Sequence, residues 1–391
     1  MNRTPLAWKN LTHQPARTIV SIGGIAFAIL LMFMQLGFLG AVGDTANNVY
    51  ERLPCDLVVR SPQYLHAYDP RSIPRDIEHR LAVLPEVAAV QVLDLSVTSW
   101  QNPNDHEFRV VAVMGVDIHD SPLQLPEVTR QLPLLMHPDH VLIDRTSRAD
   151  LGPVDGRTFS SADVGRTTAA LGKRVRIAGT FEMGTGLAAN GQIVTSREGF
   201  LRIAPRADPD RVSMLLVRNR PGVPLEQTRQ SVEAALAQMG GEASESEVLS
   251  VEQAMQRERR RWYTETPIGI IFAMGVALAV IVGGVICYMV LAADVLAHLP
   301  EYATLKAIGY SNRFLGKVLL SQAAMLALIA LPPALLVALG LYAVTSQFAG
   351  VPIRMTGERV VLVAVLSILM CSAAGLIALR KLSKAEPANL F

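Results

Sequence analysis

Four long stretches of this chain contain no charged residue, and they limit what it can fold into more than any other feature. They run from Ile19 to Val42, Thr266 to Ala293, Val318 to Ile353 and Val360 to Leu379. An α-helix rises about 1.5 Å per residue, so about 20 apolar residues cross the roughly 30 Å hydrocarbon core of a bilayer. Each stretch reaches that length. Only 18% of the 391 residues are charged and 50% are hydrophobic, a balance too oily for a soluble domain of this size. The expected fold class is an α+β membrane protein with four transmembrane helices.

The third stretch exceeds one span, and Pro332 with Pro333 is expected to kink it. The first stretch follows Arg3, Lys9 and Arg17 but is much longer than the apolar core of a signal peptide, about 7 to 15 residues, so it reads as a retained anchor. LAWKNLTH (Leu6 to His13) reads as an interfacial helix with Trp8 at headgroup depth.

Between the first two spans lie about 220 residues of ordinary soluble composition, enough for one or two domains. DLVVRSP (Asp56 to Pro62) predicts a strand, Ser72 to Val87 a helix, and EVAAVQVLDLSVTSW, NPND and EFRVVAVMGVD a hairpin. These make a β-α-β-β unit. The next part is rich in glycine and short strands, and strand, helix and strand return from RVSMLLVRN onward. The insert is therefore expected as a mixed α/β domain over 44–249. Its α/β, porter-like part covers about 50–135 and 208–249, with a mostly β subdomain inserted at about 136–207.

Basic residues flanking the spans are nearly balanced between the two sides. Long translocated domains escape the positive-inside rule, and the short loops alone favour both termini and the His298 loop inside. The expected division is an N-terminal interfacial helix at 1–17, span one at 18–43, and the insert. A stalk with span two follows at 250–293, an inner loop at 294–316, span three at 317–348, an outer loop at 349–359, span four at 360–380 and an inner tail at 381–391.

HLPEYATLKAIGY (His298 to Tyr310) lies in that inner loop, yet it has the pattern of an amphipathic helix. Pro300 suits a helix start, Glu301 complements the dipole, and Gly309 suits a stop. Leu296, Leu299, Ala303 and Ala307 form one stripe, which Leu305 and Ile308 broaden. Such a helix can rest on lipid or dock into a cytoplasmic partner. In the docking reading the contact residues are Leu299, Pro300, Glu301, Tyr302, Leu305, Lys306, Ile308 and Gly309.

Ahead of span two, Ser250 and Gln253 have capping-box spacing, which predicts a helix running through Pro267 into the membrane as a stalk. Arg259, Arg260 and Arg261, beside Trp262 and Tyr263, fit either a solvated anchoring face or a contact with lipid headgroups. Gly275, Ala279 and Gly283 repeat every four residues and allow close helix packing, within one subunit or across a dimer seam. Gln35, a lone polar residue in span one, is expected to be satisfied inside the bundle.

No G-x-x-x-x-G-K-[ST] phosphate loop occurs, and GTGLAANGQ lacks the lysine. HPDH (His137 to His140) and DIHD (Asp117 to Asp120) lack metal-ligand spacing and read as turns. Neither a G-x-S-x-G elbow nor an H-E-x-x-H helix is present. Cys55, Cys287 and Cys371 form no disulfide or zinc pattern. The residues point to no enzyme active site, metal or nucleic-acid surface in this chain.

HLPEYATLKAIGY, GIAFAILLMFMQLGF (Gly24 to Phe38) and TPIGIIFAMGV (Thr266 to Val276) closely resemble the DevC-like ABC-exporter permeases, a branch of the MacB/FtsX-like permease family. LIDRTSRADLG, GTFEMGTGLAANGQIVTSREGFLR and KAEPANLF resemble the same family, in the same order and nearly end to end. The resemblance implies four transmembrane helices with a large periplasmic domain inserted between the first and second, in a homodimer in the bacterial inner membrane with both termini cytoplasmic. It also implies a separate ABC ATPase that binds the ATP and Mg, with no cofactor on this chain and no fused N-terminal ATPase domain. A periplasmic membrane-fusion adaptor and a TolC-like outer-membrane channel would complete a path for lipophilic or glycolipid-like cargo. Two relatives stay open: an FtsX-like signal transducer controlling a periplasmic hydrolase, and a lipoprotein-releasing permease.

Overall fold

The structure, a computed structural model, describes residues 15–184, 189–297, 308, 312–349 and 353–383. In chain order its helices are α1 (Pro15–Ala46), α2 (Ile77–Ala82), α3 (Pro126–Gln131), α4 (Arg197–Ile203), α5 (Leu225–Met239), α6 (Gly241–Ser244), α7 (Val251–Thr264), α8 (Pro267–Ala297), α9 (Asn312–Ala349) and α10 (Gly357–Ser383). Two compact units emerge, one from Met1–Ala41 with Pro267–Phe391 and one from Val42–Thr266.

The first unit is a helix bundle. Four segments are long and apolar enough to cross a membrane: Thr18–Ala46, Pro267–Ala293, Gly316–Gln347 and Gly357–Ala378. The chain is a multi-pass membrane protein with a large mixed α/β insert after its first span. Inside the bundle, Ile25, Ile29 and Phe33 of α1 meet Cys287 and Leu291 of α8 and Met370 and Cys371 of α10 in one apolar cluster. From α9 the cluster takes Ala323, Ala327, Ala330, Ala334 and Ala338, small residues that let backbones approach closely where lipid supplies no hydrophobic drive. The opposite faces stay apolar and exposed, as at Met274, Leu278, Ile281 and Val285 of α8. That polarity pattern suits a hydrocarbon solvent.

Helix α9 continues without interruption through Pro332 and Pro333. Both prolines lie on its exposed side, while Ala330 and Ala334 face the core. At 38 residues it is about 57 Å long, so its length alone carries it beyond the hydrocarbon. Thr356 opens α10 by accepting from the Arg359 N–H at 3.3 Å.

The strands of the second unit are β1 (Leu57–Arg60), β2 (Ile73–Pro74), β3 (Val87–Gln101), β4 (Phe108–Val116), β5 (His140–Asp144), β6 (Thr167–Ala170), β7 (Lys173–Phe181), β8 (Gln192–Ser196), β9 (Arg211–Val212), β10 (Met214–Asn219) and β11 (Glu247–Ser250). Nine of them form one sheet in the order β11-β1-β10-β3-β4-β8-β5-β7-β6. Strand β3 organises it. Its first half pairs with β10 up to Leu93, and from Asp94 onward it pairs with β4.

The near half, β11-β1-β10-β3, is antiparallel throughout, with Ile77 and Leu81 of α2 and Val232 and Leu236 of α5 packed on Leu57, Val59, Leu215 and Val217. The far half closes on itself, because β6 returns to β3 at Ala170 opposite Trp100. The result is a six-stranded barrel filled by Trp100, Val113, Ile143, Phe159 and Ile177. The Trp100 indole N–H donates to the Leu151 carbonyl at 3.0 Å, so the one polar atom of that buried ring is satisfied.

The division of this insert differs from the sequence expectation in three places. The β-rich part is not a self-contained insertion at 136–207, since β5 to β8 close onto the far halves of β3 and β4. A 15-residue strand spans about 50 Å, far more than its six-residue partner β10 can cover, so its far half needs other neighbours. The helix predicted over Ser72 to Val87 shrinks to α2, because Ile73 and Pro74 pair with β9 instead. The helix predicted to run through Pro267 is two helices. α7 closes at Thr264 and α8 opens on Pro267, whose ring disfavours helical backbone at the residue before it.

Candidate functional site

Helix α7 holds a buried polar cluster of the second unit. Ser250 Oγ accepts from the Gln253 N–H and Gln253 Oε1 accepts from the Ser250 N–H, both at 3.1 Å, so the capping box forms and fixes the start of the helix. From there Ala254, Glu258 and Trp262 fall four residues apart on the buried face. A carboxylate on that face, only 2% exposed, needs partners to remain there.

The partners come from the start of the unit. Glu258 Oε2 accepts from the Tyr64 hydroxyl at 2.7 Å, and Oε1 accepts from the Ala67 N–H at 3.1 Å and the Trp262 indole N–H at 3.0 Å. Tyr50 donates to the Tyr64 oxygen at 2.9 Å, and Arg60 donates to the Tyr50 oxygen at 3.1 Å. The Arg60 guanidinium also lies 3.8 Å above the Tyr64 ring and 3.6 Å from Glu247. A chain of hydrogen bonds thus runs from Arg60 through two phenols to the helix.

Burial raises the Glu258 pKa above the ordinary glutamate value, and its three donors and the Arg60 charge hold the rise back. Burial likewise pushes Tyr50 up to about 12 and Tyr64 well above the usual phenol value, so both keep their protons as donors. The loop from Ser61 to Pro70 adds a second hold. Arg261 donates to the Tyr64 carbonyl, and the His66 ring lies 5.5 Å from the Trp262 ring. Burial lowers the His66 pKa, which suits an Nδ1 that accepts from the Tyr68 N–H at 3.2 Å.

Other residues singled out in the sequence are placed as follows. Of the arginine cluster, Arg261 is engaged with Glu265 at 2.9 Å and with Tyr64, whereas Arg259 and Arg260 are exposed. In the helix bundle a side chain at Gly275 would fall 2.5 Å from the Gln35 carboxamide, and one at Gly283 would fall 2.7 Å from the Ala28 methyl. Ala279 between them is buried in the same core. These three residues therefore face α1, and Gly283 meets Met370 of α10 as well. Leu299, Pro300, Glu301, Tyr302, Leu305, Lys306 and Gly309 lie outside the described residues, and Ile308 is an exposed turn position.

In HPDH, Pro138 and Asp139 form a turn that leads into β5 at His140, and DIHD is a bend after β4. His140 Nδ1 lies 2.7 Å from the Leu134 carbonyl, and Asp117 accepts from the His119 N–H at 2.8 Å. Among the described residues no three His, Cys, Asp or Glu side chains converge as a metal site would require. Sequence reasoning missed Glu258 and its phenols. A usable signal was the carboxylate in step with Ala254 and Trp262, on a stripe that is otherwise apolar.

Residues 272–387 match the family model for the FtsX-like permease C-terminal domain. A comparison with curated proteins found no match. The periplasmic region of MacB from Actinobacillus actinomycetemcomitans is similar at 9% identity and a TM-score of 0.37, over 55% of this chain and 97% of that one. The extracellular domain of the noncanonic ABC-type transporter YknZ from Gram-positive bacteria is similar at 13% identity and a TM-score of 0.35, over 50% and 98%. A permease-protein domain from Porphyromonas gingivalis is similar at 15% identity and a TM-score of 0.33, over 51% and 89%. The family match covers most of α8 and the two helices after it, and that part of the chain is similar to the C-terminal domain of FtsX-like permeases.

Proposed function

We propose that this chain is the permease subunit of an ABC exporter of MacB/DevC type, a homodimer in the bacterial inner membrane with both termini in the cytoplasm. A separate ATPase binds and hydrolyses the ATP, and its closure moves the cytoplasmic ends of the dimer. The motion reaches the periplasmic unit and drives lipophilic or glycolipid-like cargo into an adaptor and an outer-membrane channel. The single observation behind this reading is the match of residues 272–387 to the FtsX-like permease C-terminal domain.

The geometry adds a route for the motion. Only Glu265 and Thr266 separate α7 from α8, and α7 is fastened to its own unit through Glu258. In this reading the stalk is a clamped helix whose displacement must carry the loop from Ser61 to Pro70 with it.

The test is co-purification with the partner ATPase and stimulation of its hydrolysis, comparing the wild type with Leu305→Asp at matched folded yield. Docking of the His298 to Tyr310 segment would bury that new charge unpaired, so both signals should be lost while the dimer persists. Retention of both would sink the coupling role. Export restored by adding the adaptor separates the exporter from a signal transducer, which would change hydrolase activity without moving cargo.

A further inference from the structure

A cleft of about 810 Å³ opens in the Val42–Thr266 unit where β3 exchanges β10 for β4. Asp94 to Val97 of β3 form its floor, the loop carrying His66 and Tyr68 forms one wall, and residues 200–213 form the other. The edge of β3 facing β10 and β6 is incompletely paired here. The Leu95 N–H donates to Ser213 Oγ at 2.9 Å, and the Ser99 carbonyl accepts from the Leu171 N–H at 2.9 Å. Between them, Val97 sits opposite Ala112, whose own N–H turns away from β3 to the Gly191 carbonyl. Alternation along an antiparallel strand then aims the Val97 N–H and carbonyl at the same edge as those of Leu95 and Ser99. Among the described residues, that carbonyl has the Ser96 hydroxyl at 3.3 Å and the N–H has no partner.

The charges at the rim add chemistry. Arg71 is 3.6 Å from Asp69, and Arg211 is 2.7 Å from Glu242, so those pairs neutralise themselves. Asp94 is held by Arg197. The charges left are Arg206, Asp208 and Glu245, with a net acidic sign. Arg71 and Arg206 both have φ near +60, a strained backbone for a side chain of that size, and they account for two of the four such non-glycine residues described.

We infer that this cleft binds an extended polypeptide segment carrying basic side chains, which adds its backbone to the free edge of β3 at Val97. The open strand edge calls for a peptide backbone, which a lipid tail or a small anion does not supply. Val97, Leu201 and Pro205 offer apolar contacts for side chains, and Asp208 and Glu245 offer the complementary charge. His66 and Tyr68 belong to the loop that grips α7, so the occupied cleft shares a wall with the Tyr64–Glu258 cluster. This inference stands apart from the export reading.

The experiment uses the full chain in lipid nanodiscs and a short fluorescent peptide of alternating valine and lysine, with binding read by anisotropy. Three comparisons decide it. The same peptide N-methylated along one edge should bind about tenfold more weakly, as should a valine–glutamate peptide. Val97→Pro removes the free N–H, and Ala207→Trp fills the cleft away from β3. Each should weaken binding about tenfold at an unchanged melting temperature. If Val97→Pro fails to fold, Ala207→Trp and the N-methylated peptide still decide the matter. Equal binding of the N-methylated or the glutamate peptide, unchanged binding by Ala207→Trp, or no binding of the valine–lysine peptide to the wild type overturns the inference.

Discussion

Tyr64 donates its hydroxyl hydrogen to Glu258 at 2.7 Å, across 194 positions of sequence. That single bond joins the loop after β1 to the last helix before the second span. Because both groups are buried, removing either partner strands the other in a medium that cannot hydrate it.

Glu258→Ala should therefore destabilise the second unit by roughly 2 to 4 kcal/mol, since it leaves Tyr64, Ala67 and Trp262 without an acceptor. Tyr64→Phe should cost about 1 to 3 kcal/mol, and the double variant should cost less than the sum. Hydrogen exchange along α7 would check this, and additive losses would refute a shared network.

The same carboxyl makes stability depend on pH. Below the ordinary glutamate pKa the group is protonated in both folded and unfolded chains and adds no slope. Between that value and its raised folded value, the folded chain keeps a proton that the unfolded chain releases, so stability falls as pH rises. Wild-type melting temperature should thus decline relative to Glu258→Gln across that window and run parallel to it above. A constant difference at every pH would rule out the raised pKa.

Gly283→Leu should destabilise the helix bundle by about 1 to 3 kcal/mol, because Ala28 and Met370 already occupy the space its side chain needs. Gly340→Ala in α9 meets nothing within 4 Å and should raise helix stability by roughly 0.5 to 1 kcal/mol. Thermal unfolding in one detergent compares the two. Equal effects would mean that Gly283 is not at a close contact.

If the α/β unit is periplasmic, an impermeant thiol reagent applied to intact spheroplasts should label Asn104→Cys and spare Asn312→Cys. The opposite pattern would invert the proposed topology. The native thiols interfere little, since Cys287 and Cys371 are buried and Cys55 is half-buried.

The legible part of the molecule was the part set by composition and local chemistry. Four uncharged stretches dictated four membrane-length helices, because bilayer thickness and helix rise leave no other outcome for such runs. The Ser250–Gln253 capping box was equally legible, since all its atoms lie within one helical turn. Gly275, Ala279 and Gly283 showed a packing stripe, yet not that it faces Gln35 and Ala28, because small-residue spacing carries no information about its partner.

Only tertiary structure decided the rest. Strand β3 reads in sequence as half of one hairpin, but its exchange of neighbours at Asp94 depends on the lengths of strands far away in the chain. The spacing of Glu258 with Ala254 and Trp262 marks a helix face, but that its carboxylate accepts from Tyr64 and Ala67 follows only once those residues are brought around it. The sequence by itself determined where the chain is oily, where the capping box starts α7 and that a large α/β unit separates the first two spans. Which polar groups meet in the interior was decided by the fold, because hydrogen bonds between residues nearly two hundred positions apart leave no periodic trace in either segment.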